Sequence, residues 1–384
     1  MNKYYPCIFL YSIILFGCSK NNHNSNENFI RNDYVFTELP DKCFELDENT
    51  TQNSSYFQYI QKKDSSIFAF INDYDNSITI NDFKTGKLIK KILFQKEGAN
   101  GVGQIQNFYL KDTLVYIHKH WGNTVFITDL NSIVKDKTVI DLDIYRTKGI
   151  NPPAILPGPL RALNIINNNL ILSGFTVEQE GENSENTPSL VLYNLKNKTI
   201  RFLNSFPQLY HKGNWGINPT YRFISYTINN NNEIVLSYPA DGYIYVNNLS
   251  GQINKYYAGV KNGEKGLKPI SYKRNSRITA EEDEEYYMKN VVYGGIFYDQ
   301  YENIYYRIVT LPTEVDNMKK SNQYNKKIQI IALDSIFNII GRYNLKDDIY
   351  ISGLSFLSNE GLHIKTNSEN DDIMRFKTFK ICKK

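Results

Sequence analysis

The 384-residue chain is poor in the residue types that carry metal, redox or nucleophile chemistry: it has four cysteines, five histidines and two tryptophans. A membrane-crossing helix needs about 20 apolar residues, and the apolar run Cys7–Gly17 is far shorter. The charge is nearly balanced. Forty-four Lys and Arg against 40 Asp and Glu leave a scattered +4, which argues against a nucleic-acid partner. No long segment shows the 3.6-residue apolar period of a helix. No serine-nucleophile elbow is present; no catalytic residue is assigned, and no cofactor is expected. What the chain does have is 41% hydrophobic residues, enough for a core, and 30 tyrosines. Tyrosine favours strands and leaves a polar tip at a wet surface.

The first residues address the chain to the cell envelope. Lys3 precedes the run Cys7–Gly17, which has the length of a secretory apolar region. Leu15-Phe16-Gly17-Cys18 resembles a bacterial lipobox, with a small residue before the cysteine. The expectation is a signal peptide over residues 1–17 and a Cys18 acylated by chains such as palmitate, the membrane partner of a lipoprotein. More than one chain is needed for stable anchoring. Residues 18–32 form the lipidated cysteine and a polar tether with nothing to bury. The expected place is the outer membrane, with the facing left open between periplasm and surface.

Residues 33–384 read as one all-β domain built of repeats. The second strand of each unit begins at residue 65, 112, 168, 232, 302 or 360, as in Ser65–Phe70 and Asn232–Ser237. Intervals of this size are those of propeller blades with insertions. Third strands alternate with period two, from Ser77–Asp82 to Asp372–Lys380. Fourth strands follow in five units, including Thr138–Ile144 in the second. First strands include Leu160–Ile166 in the third unit. The sixth unit has no fourth strand after it, while Tyr34–Leu39 is a strand without a unit. An open edge invites aggregation. The expected fold is therefore a six-bladed β-propeller closed by its N-terminal strand, with residues near 34–48 completing the last blade. That puts Cys43 and Cys382 on adjacent strands of one blade. Two readings stay open there: a disulfide latching the ring, or two unrelated thiols.

One stretch points to a family. Ile78-Thr79-Ile80-Asn81-Asp82-Phe83-Lys84-Thr85-Gly86-Lys87 runs on to Phe94-Gln95-Lys96-Glu97-Gly98-Ala99-Asn100-Gly101-Val102-Gly103. This resembles the Bacteroidota lipoproteins grouped as domain of unknown function 4221 and, more distantly, TolB-like six-bladed propellers. The resemblance implies fold and place. It carries no catalytic residues.

Loop lengths distinguish the two faces of the disc. First-to-second and third-to-fourth connections are short, such as Asn167–Asn169 and Ser250-Gly251. Long segments join second to third strands and blade to blade: Tyr145–Pro159, Gly174–Pro188, Pro207–Pro219, Val260–Gly294 and Val309–Asn325. Both long sets open on one face, and insertions confined to one face mark a binding surface. Trp121 and Trp215 fall there, with His118, His120, Tyr221 and Arg222 near them, and Arg146 and Arg161 flanking the Pro152–Pro159 loop. Aromatic residues with Arg are common interface anchors. These eight are the candidate binding residues, each set against a role in packing between blades. His118 and His120 alternate on a strand, and His211 is the nearest third ligand type. Nothing in the sequence joins them, so no metal is expected. Glu281–Glu285 reads as a solvated loop without the spacing of a calcium site. Gly98–Gly103 lacks the strand–helix context of a dinucleotide loop.

The expected function is a non-enzymatic envelope lipoprotein that binds a protein, peptide or glycan through the insertion-rich face. One alternative is an envelope hydrolase or lyase with its acid and base at the central channel on that face. Another is a scaffold subunit of an envelope complex.

Overall fold

Strands at the centre of a blade are covered on both sides, and the first blade shows the consequence. Ser66–Asn72 and Ser77–Asp82 are buried almost throughout, while the outer Leu88–Leu93 is mostly exposed. Successive side chains leave a strand on opposite sides. Ile67, Ala69 and Ile71 thus enter a wedge shared with the second blade, and Phe68 and Phe70 enter a wedge shared with the sixth. Six such wedges make the core, one between each pair of neighbouring blades.

The structure, a computed structural model, describes residues 33–175, 187–263, 266–273, 276–313, 326–346, 349–368 and 370–384. The signal segment, Cys18 and the tether lie outside the described residues, as does most of the Gly174–Pro188 and Val309–Asn325 insertions. Six antiparallel sheets follow in chain order, each running from the innermost strand outward. The first is Phe57–Gln61, Ser66–Asn72, Ser77–Asp82 and Leu88–Leu93. The second is Tyr109–Lys111, Leu114–Lys119, Thr124–Asp129 and Val134–Val139. In the third, Asn164–Ile166 and Ala154–Ile155 both pair with Asn169–Phe175, ahead of Pro188–Asn194 and Ile200–Ser205. The fourth is Ser225–Ile228, Ile234–Ser237, Tyr243–Asn247 and Ile253–Tyr257. The fifth is Val292–Asp299, Ile304–Thr310, Ile328–Leu333 and Ile339–Asn344. The sixth is Tyr350–Ser358, Gly361–Thr366 and Ile373–Lys383, completed by Tyr34–Glu45.

The ring closes as the sequence predicts. Tyr34–Glu45 pairs with Ile373–Lys383 from Tyr34↔Lys383 to Glu45↔Ile373, with a register shift between Leu39 and Lys42. The wedge behind this seam is almost wholly phenylalanine: Phe44, Phe57, Phe68, Phe70, Phe83, Phe356 and Phe376 with Met374. Phe44 stacks on Phe68 at 4.1 Å between centroids. The same register rules out the disulfide reading. Cys43 stands opposite Arg375 and Cys382 opposite Val35, so the two lie roughly 20 Å apart along the strands. Both are free thiols.

Several elements differ from expectation. The fourth strand of the second blade is Val134–Val139, upstream of the expected Thr138–Ile144, and Asp143–Arg146 is a helical turn. The expected first strand of the third blade, Leu160–Ile166, is shortened to Asn164–Ile166 and supplemented by Ala154–Ile155. The acidic stretch expected as a loop is a helix, Ala280–Lys289. Thr279 accepts from the Glu282 amide while Glu282 reaches back to the Thr279 amide, a capping box that starts the helix.

Because consecutive strands are antiparallel, first-to-second and third-to-fourth connections share one face, here the turn face. Second-to-third and blade-to-blade connections share the other, the loop face.

Candidate functional site

On the loop face the eight candidate residues do not converge. Trp215, Tyr221 and Arg222 are packed inward. Trp215 is only 4% exposed and lies 5.0 Å from Tyr210 and 6.4 Å from Tyr221, between the third and fourth blades. Arg222 is buried too, and its Nη2 donates to the Ile217 carbonyl at 3.0 Å. These three roof a wedge of the core, so the structure corrects the expectation that they form an open binding surface. His118 is also buried, and burial pulls its pKa down to about 4. Asn107 clasps its backbone, donating to the His118 carbonyl at 2.9 Å and accepting from its amide at 3.0 Å.

Of the rest, His120 and Trp121 form a pair. His120 Nδ1 donates to the Ile155 carbonyl at 2.6 Å, and its ring meets Trp121 edge-on at 5.2 Å. Trp121 is 79% exposed, on a tight turn between strands. The Arg161 guanidinium carbon lies over Phe223, 3.9 Å from the ring centroid, and Arg161 Nε donates to the Leu156 carbonyl at 2.6 Å. Burial lowers its pKa to about 10. Arg146 donates to Asn151 Oδ1 at 2.6 Å and is ion-paired with Asp143. His211 is held by the Phe206 carbonyl, apart from His118 and His120. Among the described residues no group of three or more His, Cys, Asp or Glu could hold a metal ion.

The loop face does contain a cleft. The segment Ile217–Tyr221 and the helix Ala280–Lys289 enclose about 710 Å³, lined by Ile217, Thr220, Tyr221, Asp283, Glu284 and Tyr287. Ile217 is 55% exposed at its edge. Asp283 joins the walls: its two carboxylate oxygens accept from the Ile217 and Asn218 amides, each at 3.0 Å. Gly216 has φ +94°, and a Cβ there would sit 1.9 Å from Asp283 Oδ1, so only glycine lets the segment approach the helix. At the helix C-terminus, the Lys326 ammonium donates to the Tyr287 and Asn290 carbonyls. Burial draws the Lys326 pKa down to about 7.

The turn face holds a second cavity, which the sequence reading did not single out. It measures about 380 Å³ and is lined by the first, third, fourth, fifth and sixth blades, and so lies on the ring axis at the mouth of the channel. Its rim includes Tyr59, Asn167, Asn230, Asn232, Gln300 and Tyr301. The available signal was the asparagine runs Asn167–Asn169 and Asn229–Asn232 at equivalent turns. Behind the sixth blade's part of the rim, Ser358 Oγ meets His363 Nε2 at 2.7 Å, and His363 Nδ1 meets Thr378 Oγ1 at 2.9 Å. Burial lowers the His363 pKa to about 3. This trio has no carboxylate to orient the imidazole, and its serine is buried. It braces the turn.

Comparison with known proteins identifies the architecture. The profile of a domain of unknown function, DUF4221, matches residues 34–342. The crystal structure of a DUF4221 member from Bacteroides vulgatus superposes with a TM-score of 0.77 at 18% identity, over 92% of this chain and 99% of that one. A putative exported protein from Bacteroides fragilis superposes at 0.54 and 10% identity, over 91% and 96% of the two chains. At these identities the likeness is one of fold. No curated protein matches the chain.

Proposed function

The chain belongs to the DUF4221 family, and from that premise we propose that it is an envelope lipoprotein that binds a protein or peptide partner on its loop face. The observation that carries this is the cleft between Ile217–Tyr221 and the helix Ala280–Lys289. Its volume falls in the range of ligand-binding clefts. Its walls join an exposed apolar edge, Ile217, to the half-buried Tyr287 and the acidic side chains of Asp283 and Glu284. A peptide that places an apolar side chain beside a basic one matches that lining. The exposed Trp121, on the same face, offers a separate aromatic contact. The domain hangs from Cys18 by the 18–32 tether, so the partner is an envelope component.

The test uses the full chain in its own cells. A photo-crosslinking residue replaces Ile217 in one variant and Ile89, on the rim of the first blade, in another. The expected result is a discrete protein adduct from position 217 that is absent from position 89. Identical adducts from both, or none from 217, would overturn the reading. In the same cells, incorporation of a palmitate label that survives Cys18→Ser would remove the lipid anchor at that residue.

A further inference from the structure

The channel mouth on the turn face has a chemistry unlike that of the loop-face cleft. No Asp, Glu, Lys, Arg or His lines it. The nearest carboxylate in sequence is Asp299, which is buried and already accepts from the Tyr301 and Glu302 amides at 3.0 and 3.2 Å. Glu233, behind the fourth blade's turn, accepts from Asn229 Nδ2 at 2.8 Å. A charged ligand would therefore meet no counter-charge in the cavity.

What the mouth does present is amides and phenols. The side chains of Asn167, Asn232 and Gln300 are exposed, and each amide carries two donors and an acceptor. Asn229, by contrast, is used up inside its turn: its Oδ1 accepts from the Asn231 and Glu233 amides at 3.0 and 2.9 Å, and its Nδ2 also reaches the Tyr305 hydroxyl at 3.0 Å. The turn is thus held by one asparagine while its neighbours line the opening. Tyr301 is 47% exposed, and Tyr59 stands close to it on the rim. Burial and the neighbouring Tyr301 push the Tyr59 pKa up to about 12, and its hydroxyl already donates to Asn359 Oδ1 at 3.0 Å, which leaves Tyr301 as the open phenol of the rim.

Neutral donors and acceptors beside an exposed aromatic side chain match one ligand class best. Sugar hydroxyls both donate and accept, and the C–H face of a pyranose packs on an aromatic ring. We propose that the turn-face mouth of the channel binds the end of an uncharged glycan, with Asn167, Asn232 and Gln300 reading hydroxyls and Tyr301 packing on a ring. This site is independent of the loop-face cleft and lies on the opposite side of the disc. A protein with both would join an envelope partner to a saccharide.

The experiment titrates the full chain, in detergent, with maltohexaose, cellohexaose and chitohexaose by calorimetry and saturation-transfer NMR. At least one should bind, and Tyr301→Ala should weaken it about tenfold, the size of effect of one lost anchor. Gln300→Ala should weaken it as well, while Ile217→Asp on the other face leaves it unchanged. Both turn-face residues are exposed, so unchanged thermal melting of their variants confirms that they fold. Failure of all three sugars to bind, or binding that survives both Tyr301→Ala and Gln300→Ala, would overturn the proposal and leave the loop-face reading intact.

Discussion

The two faces of the disc invert the usual relation between loop length and open chemistry. The loop face carries the long connections and both tryptophans. Yet Trp215, Tyr221 and Arg222 face inward as the roof of the wedge between the third and fourth blades. The turn face is made of short turns, and it holds the uncharged cavity on the axis. Long insertions must bury something to stay ordered, and here they bury their own aromatic residues. Short turns are fixed by a few backbone hydrogen bonds and leave their remaining side chains free to point outward. Loop length marks where the fold was enlarged; it does not by itself mark which side chains stay exposed.

The largest expected effect tests the inward-facing side of this contrast. Trp215→Ala should destabilise the domain by about 3–5 kcal/mol, the cost of deleting a buried aromatic side chain, read as a fall in the urea midpoint. A midpoint equal to the parent's would mean that the tryptophan belongs to the surface after all.

A smaller effect compares one buried imidazole beneath each face. His118 lies under the loop face and His363 under the turn face, with pKa values lowered by burial to about 4 and about 3. An unfolded histidine titrates near 6.5. Below that pH the unfolded chain takes up protons that the native chain refuses, so stability falls as pH drops from 6.5 toward 4. Below 4 only the His363 contribution continues. Urea midpoints at pH 7, 5 and 4 should therefore decline in the parent and decline less in His118→Phe. An equal decline in the variant would show that His118 is not held neutral.

The smallest effects belong to the exposed side chains. Trp121→Ala and Tyr301→Ala should each change stability by no more than about 0.5 kcal/mol. Their melting curves should overlay the parent's even where binding is lost. A large shift from either would place that residue in the packing and break the contrast between the faces.

Most of the ring was legible in the sequence because wedge packing writes itself into the second and third strands. Each sends side chains to two neighbouring blades, so Phe68–Ile71 and Leu170–Leu172 read as unbroken apolar runs. The closing strand was legible by subtraction, since one blade lacked a strand and one strand lacked a blade. Outer strands were harder. Val134–Val139 alternates intermediate and exposed positions and carries two lysines, so it reads like the polar segments around it. The helix Ala280–Lys289 buries only Met288 fully and shows no strong apolar face, leaving Thr279 and Glu282 as its one sequence sign. The candidate binding residues were the least legible. An aromatic residue in a loop has the same letter whether it roofs a wedge, like Trp215, or projects into water, like Trp121. The turn-face asparagines resembled ordinary turn formers, and their place on one cavity rim appears only when the third and fourth blades turn toward the axis.

The closing strand sets a timetable. Tyr34 meets Lys383, so nearly the whole polypeptide must be made before the seam can form. At about 5–20 residues per second, synthesis of that stretch takes on the order of tens of seconds. Bringing such distant partners together adds only slowly to the equilibrium cost of folding, but it makes their pairing a late event. Until that pairing forms, Tyr34–Glu45 is a lone strand able to join any neighbour's edge. Pro40, Asp41 and Lys42 interrupt its middle, where the register later shifts, and proline and charge are the residues that discourage stray pairing. The irregularity in the finished seam thus falls where the unpaired segment carries the residues that discourage stray pairing.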